Sequence, residues 1–306
     1  MGHHHGHDHD HQHFEDARSG NKQGLFIALC ITSGIMFLEF FGGLITNSLA
    51  LLSDSGHMLS DASSLFLSLM AIWFASKPPS SQKTYGYYRF EILAALFNGI
   101  TLFIIAGFIM WEAYQRFFDP PVVKSGMMML IALIGLMANL VSAWILMRKG
   151  DVKNNVNLRS AYLHVIGDAL GSVGAIIAGA TILLFDWYVA DPIISVVVAI
   201  LILKSAWGII NHTVHILMEG TPASIDPDDI RRELEKLERV INVHDLHIWT
   251  ITSGLHALSC HILIEKNTDH QMILEASLEK LRTSFHIEHA TIQIETSDQT
   301  HRELKI

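Results

Sequence analysis

Two short stretches carry the residues best placed to do chemistry. SDSGHMLSD holds Asp54, His57 and Asp61, and YLHVIGD holds His164 and Asp168. Spacings of three and four put the first three on one helical face and set His164 beside Asp168 on another. Both stretches lie inside long apolar runs. An ionisable side chain at membrane depth is costly unless paired or liganded, so it marks a functional pathway by default. Two imidazoles and two carboxylates, one pair per helix, make a tetrahedral shell of His57, Asp61, His164 and Asp168. Donors of this kind suit Zn²⁺, whereas an all-carboxylate shell favours Mg²⁺ or Ca²⁺. The competing reading is private His–Asp pairing that only holds helices together, and two identical H-x-x-x-D pairs in separate runs weigh against it. Asp54 has two readings, as a hydrogen-bond partner of a liganding histidine or as a residue near the outer end of its span.

Such ligands must shed protons before they bind metal, and imidazole titrates near neutrality. A site that takes up protons as it releases metal predicts metal/proton antiport. Gly167 and Gly171 form a small-xxx-small pair that permits close helix approach. Glu39, Asn98, Glu112 and Asn139 are further polar residues in apolar runs, read as interhelical hydrogen-bonding residues rather than site residues.

A second cluster of chemistry lies near the C-terminus. VHDLHIW carries His244 and His247, three apart on a predicted strand and so expected on opposite faces. His261 lies on the next strand and Glu295 on the last, and convergence of His244, His261 and Glu295 would make a second metal site. The opening stretch HHHGHDHDHQH is also histidine-rich and would collect zinc weakly, or serve as a dispensable tail.

These residues need elements to hold them. Half of the 306 residues are hydrophobic, 17 % are charged, and the mean hydropathy is +0.33. Six apolar runs are long enough for a spanning helix of about 20 residues: roughly 25–46, 51–75, 90–111, 127–147, 161–185 and 188–210. Lys77, Lys83 and Arg89 follow the second run, and Arg148, Lys149, Lys153 and Arg159 follow the fourth, while the opposite side is poor in positive charge. The positive-inside rule then places both termini in the cytoplasm. The net charge of −9 argues against nucleic acid as a partner. Cys30 and Cys260 are too few for a disulfide framework and poorly placed for a mutual bridge, which suits reducing surroundings for the tail. The polar N-terminus does not read as a secretory signal.

After Glu219 the texture changes. Asp226-Pro227 reads as an N-cap followed by proline at the first helical position, opening a helix to about residue 239 with Ile230, Leu234 and Leu237 apolar. Residues 243–250 and 255–264 read as strands joined at Ser253-Gly254. Residues 269–285 form an amphipathic helix with Ile273, Leu274, Leu278 and Leu281 on one face, and 290–295 alternate as a strand. The order αββαβ predicts a small α+β sandwich with helices on one face, short enough to gain from dimerisation. The expected domains are a histidine-rich tail (1–22), a six-helix transmembrane domain (23–212) and a cytosolic domain (213–306).

Several of these stretches together resemble the cation diffusion facilitator family, specifically its bacterial zinc exporters. They are SLALLSDSGHMLSD, YGYYRFEILAALFNG, AYLHVIGDALGSVGAI, ADPIISVVVAILIL, MEGTP, VHDLHIW and HATIQIE. The resemblance implies a homodimer in a bacterial inner membrane, a ferredoxin-like cytosolic domain that binds metal, and transport by alternating access. It carries the transport site onto His57, Asp61, His164 and Asp168, with His57 favouring zinc over cadmium and cobalt. Two departures are visible. The loop 76–88 has no His or Asp, and Gln293 stands where some members carry a metal-binding histidine. No organic cofactor is expected. Rival readings are an intramembrane zinc metallohydrolase, for which four ligands leave no open position, and a metal sensor without transport.

Overall fold

The computed structural model describes residues 26, 29–75, 80–149, 156–252 and 254–296. Along helix 156–185 only the backbone of 156–167 is described. The N-terminal tail 1–22 with its histidines and Ser253 lie outside what is described, as does part of each loop 76–88 and 151–160. The side chain of His164 falls there too.

Six long helices follow in order: α1 (Leu29–Thr46), α2 (Leu49–Ala75), α3 (Arg89–Phe118), α4 (Ser125–Lys149), α5 (Val156–Phe185) and α6 (Ala190–Leu217). Each matches one predicted apolar run, and α2 to α6 extend beyond theirs at one end or both, α3 and α6 furthest. Among the described residues, α1, α3, α5 and α6 carry stretches long and apolar enough to cross a membrane, and α4 a shorter one. In α2 the apolar run is diluted by Ser53, Asp54, Ser55, His57, Ser60 and Asp61. By internal contacts the chain forms two units, one of residues up to 73 with 95–210 and the other of 74–94 with 211–306.

In the first unit α2 lies between two packing groups. Ala50 and Leu51 join Met128 and Ala132 of α4 and Ala175, Ala178 and Ile182 of α5. Leu49 joins Leu102, Ala106 and Ile109 of α3 and Ala199, Ile202 and Ala206 of α6. Alanines recur in both seams beside Leu and Ile, which lets helix backbones approach where lipid supplies no hydrophobic driving force. The outward faces are apolar, with Phe97, Phe108, Leu184 and Phe185 each more than 60 % exposed. That is a surface made for hydrocarbon rather than water. At the C-terminal end of α3 an exposed aromatic group gathers: Trp111 stacks on Tyr114, and Tyr114 meets Phe118 edge-on.

The start of α2 is held from a distance. The carboxylate of Asp191, in the first turn of α6, accepts from Ser48 Oγ (2.6 Å), Leu49 N (2.7 Å) and Ala50 N (3.1 Å). A carboxylate there satisfies free N–H groups and favours the positive end of the helix dipole. Asp191 is therefore a buried helix cap.

The second unit contains the predicted αββαβ order: α7 (Pro227–Glu235), β1 (Val240–Thr252), β2 (Leu255–Ile264), α8 (His270–Phe285) and β3 (His289–Thr296). Asp226 caps α7 with Pro227 in its first turn, and Asp269 caps α8. β1 pairs antiparallel with β2, and β2 pairs parallel with β3. Leu258, Cys260, Ile262 and Ile264 line one face of β2 and share a core with Ile230 and Leu234 of α7 and with Ile273 and Leu281 of α8. Both helices thus cover the same face. The buried stripe of α8 is Ile273, Ser277 and Leu281, whereas Leu278, expected on it, is exposed.

Candidate metal centres

The first centre is built on α2 and α5. His57 and Asp61 are one turn apart on α2, with His57 Nδ1 3.4 Å from Asp61 Oδ2. Asp168 of α5 approaches them, so that one ligand atom from each of the three lies within 4.8 Å of the others. For Zn–N and Zn–O bonds near 2.0–2.1 Å, tetrahedral ligands stand roughly 3.4 Å apart. His57 Nδ1 and Asp61 Oδ2 already stand at that separation. His57 keeps 30 % of its side chain accessible, so the cluster is not sealed. The backbone of α5 places His164 one turn before Asp168.

Asp54, one turn before His57, is buried and accepts from Ser172 Oγ of α5 at 3.4 Å. Its carboxylate lies where a Cβ on Gly171 would stand, so α2 and α5 meet here only because residue 171 has no side chain. Gly174 lies against Ile194 and Gly179 against Met129. These three glycines of α5 are contact points with neighbouring helices. Glu39 of α1 is fully buried, and neither of its oxygens has a hydrogen-bond partner. That differs from the bonded interhelical residue its sequence context suggests. Glu112 bonds within its own helix rather than across helices, accepting from Arg116 at 2.9 Å in α3.

The second centre lies on the sheet. His244, His261 and Glu295 offer ligand atoms within 4.8 Å of one another. His261 Nδ1 is 3.1 Å from Glu295 Oε1, and His244 Nε2 is 3.5 Å from Glu295 Oε2. Gln293 Nε2 donates to Glu295 Oε1 at 2.7 Å, so it orients the carboxylate. The expectation that His244 and His247 face opposite sides does not hold. His244 pairs with His261 and His247 with Ser259, two residues apart on β2 and so on one face. The cause is a bulge: Asp245 takes φ +50 and the register shifts between His244 and His247. The bulge brings in Asp245, with Oδ1 3.0 Å from His247 Nε2 and Oδ2 3.8 Å from His261 Nε2. Its position inside VHDLH was the available signal, and alternation arithmetic hid it.

Other groups of this unit are structural. His256 Nδ1 meets Thr250 Oγ1 at 3.2 Å, and burial lowers its pKa below the ordinary imidazole value. Burial pushes the Cys260 thiol up to about 12. Lys236 and Lys280 each place Nζ 2.6 Å from a Glu233 oxygen and hold that carboxyl down at about 2. Cys30 and Cys260 are both free.

Comparison with known proteins gives two family matches. Residues 25–218 match the model of the cation efflux transmembrane domain, and residues 222–297 that of the cation efflux protein cytoplasmic domain. The cadmium, cobalt and zinc/H(+)-K(+) antiporter of Bacillus subtilis (strain 168) is 50 % identical, over 98 % of this chain and 94 % of its own length. The zinc transporter ZitB of Escherichia coli (strain K12) is 42 % identical, over 90 % and 88 %. The cation efflux system protein CzcD of Alcaligenes sp. (strain CT14) is 39 % identical, over 92 % and 88 %.

Proposed function

The chain belongs to the cation efflux family, an integral-membrane family of transporters rather than enzymes, and on that premise we propose that it exports zinc in exchange for monovalent cations. The observation that carries this reading is the convergence of His57, Asp61 and Asp168 from two helices in an apolar bundle. His164 completes a tetrahedral His₂Asp₂ shell, and zinc is its cargo. Cadmium and cobalt, with protons and potassium ions as counter-cations, are named for the Bacillus subtilis relative and extend to this chain as secondary cargo and exchange partners.

Transport follows from ligand chemistry. The carboxylates and neutral imidazoles take zinc from one side. Protonation on the other side competes for the same lone pairs and releases it. Asp54 works beside the ligands, holding α2 against Ser172 of α5. The protein acts as a homodimer in a bacterial inner membrane, with both termini in the cytoplasm and the cytosolic domain starting near residue 213. His244, His261 and Glu295 hold a zinc ion there that reports cytosolic metal and tightens the dimer.

Zinc flux into proteoliposomes under an imposed pH gradient tests the reading. Native chain should move zinc, and Asp168→Ala should abolish the flux while eluting as a folded species. Equal flux in both would move the pathway elsewhere. No flux in either, with zinc binding retained, would leave a sensor.

A further inference from the structure

Glu39 has no role in the metal shell, yet it is the most completely buried acid of the bundle, with no exposed surface and no hydrogen bond to either oxygen. Residues of α4 and α5 stand beside it, and an acid of α2 lies within electrostatic reach. From α4 comes Gly135, whose missing Cβ leaves the space that the Glu39 carboxylate fills. From α5 comes Ser172, whose Oγ is 3.3 Å from that same Cβ position. Ser172 in turn donates to Asp54 of α2. The charged groups that act on Glu39 are Asp54 of α2 and Asp168 of α5, both acids. His57 offsets Asp54 and Asp168 in part, whereas both charges that act on Glu39 itself are negative.

A bare carboxylate in such surroundings loses its hydration and gains only repulsion. It persists where a cation or a proton regularly occupies it. The donors around it are all oxygens: the carboxylates of Glu39 and Asp54 and the hydroxyl of Ser172. Oxygen-only sets suit hard cations, not the borderline-soft zinc held by imidazole. Two glycines, Gly135 and Gly171, keep the space beside these carboxylates clear of side chains.

We propose that Glu39, with Asp54 and Ser172, forms a separate site for the counter-transported monovalent cation, next to the zinc shell but distinct from it. The proposal rests on the exporter reading above. The counter-cation neutralises Glu39 in one access state and leaves in the other, while His57, Asp61, His164 and Asp168 hand over zinc. A proton and a potassium ion share the chemistry this site requires, a single positive charge met by oxygen.

Full-length chain in proteoliposomes tests it, with Glu39→Gln as the neutral isostere. Zinc influx is driven in separate arms by a pH gradient and by a potassium gradient, and radioactive zinc–zinc exchange is followed with no gradient. In Glu39→Gln, gradient-driven influx should fall at least about tenfold, a barrier change of about 1.4 kcal/mol. Zinc–zinc exchange, which needs no counter-cation, should persist. The arm that loses its drive identifies the ion. Unchanged gradient-driven flux in Glu39→Gln overturns the proposal. So does equal loss of zinc–zinc exchange, which would put Glu39 in the zinc shell. If Glu39→Gln does not fold, Glu39→Asp keeps the carboxylate and should retain gradient-driven influx, and its loss there overturns the proposal equally. Failure of native chain to respond to either gradient would instead sink the exporter reading itself.

Discussion

The cap that Asp191 provides to α2 lends itself to a direct test, because its geometry sets a magnitude. Three donors converge on one carboxylate that is 1 % exposed, and two of them are the first backbone N–H groups of α2. Hydrogen bonds to a charged group contribute about 1.5–3 kcal/mol each by mutation, and the values do not add fully. A carboxylate at a helix N-terminus contributes about a further 0.3–1 kcal/mol. Asp191→Ala removes all of this and orphans buried donors, for an expected loss of about 3–5 kcal/mol. Asp191→Asn keeps one acceptor oxygen and should lose about half as much. At about 2–4 °C per kcal/mol, the alanine variant should melt on the order of 10 °C below native chain. The assay is a thermal scan of detergent-solubilised protein followed by size exclusion. A melting point for Asp191→Ala within about 2 °C of native would refute the reasoning. So would an asparagine variant as unstable as the alanine one, since the argument ranks them by acceptors retained.

Three further outcomes follow from the same geometry. Gly171→Ala puts a Cβ where the Asp54 carboxylate now lies, so Asp54 must rotate and zinc affinity by calorimetry should drop about 10–100-fold; unaltered affinity would remove Asp54 from beside the ligands. The Cys260 thiol, pushed up to about 12 by burial, should resist maleimide at neutral pH in folded protein and react once unfolded, read by mass spectrometry, and rapid native labelling would contradict its burial. Glu233, held at about 2 by Lys236 and Lys280, is an acid with a depressed folded pKa. Its contribution is present above the unfolded value of about 4.5 and fades as pH falls toward 2. Glu233→Gln should therefore melt earlier than native chain at pH 7 and converge with it in acid; a gap that widens in acid would reverse the sign.

Much of this molecule is local, and what is local was readable. Apolar length located six helices, Asp226-Pro227 and Asp269 announced the starts of α7 and α8, and alternation found the strands. The spacing of His57 and Asp61 needed only the helical repeat to predict one face. The meeting of His244, His261 and Glu295 needed only three adjacent strands. What escaped depends on contacts between distant residues or on single backbone angles. Asp191 caps a helix that begins 142 residues earlier, and no window along the chain spans that distance. The positive φ of Asp245 adds one residue to the pleat and turns an odd spacing into a shared face, where no glycine gives warning. Glu39 looked like any polar residue within an apolar run. Its lack of partners appears only when α4 and α5 are set around it. Leu278 shows the converse: helical spacing nominated it for the core, but the neighbours of α8 take the stripe through Ser277 instead.

The aromatic group on α3 sets a vertical datum. Trp111 and Tyr114 are amphipathic rings of the kind that settle at the level of lipid headgroups. With Phe117 and Phe118 exposed beside them, they hold that end of α3 at a fixed depth. A helix of 30 residues is about 45 Å long, well beyond the roughly 30 Å of hydrocarbon. With one end anchored, a thinner or thicker bilayer is accommodated by tilt, or by displacement of the other end. Each ångström of mismatch costs only a fraction of a kcal/mol, but tilt of α3 bears on the seam it shares with α2 and α6. Acyl-chain length thus becomes a tuning parameter for the transporter, and its turnover should follow the thickness of the lipid it is given as well as the ions on either side.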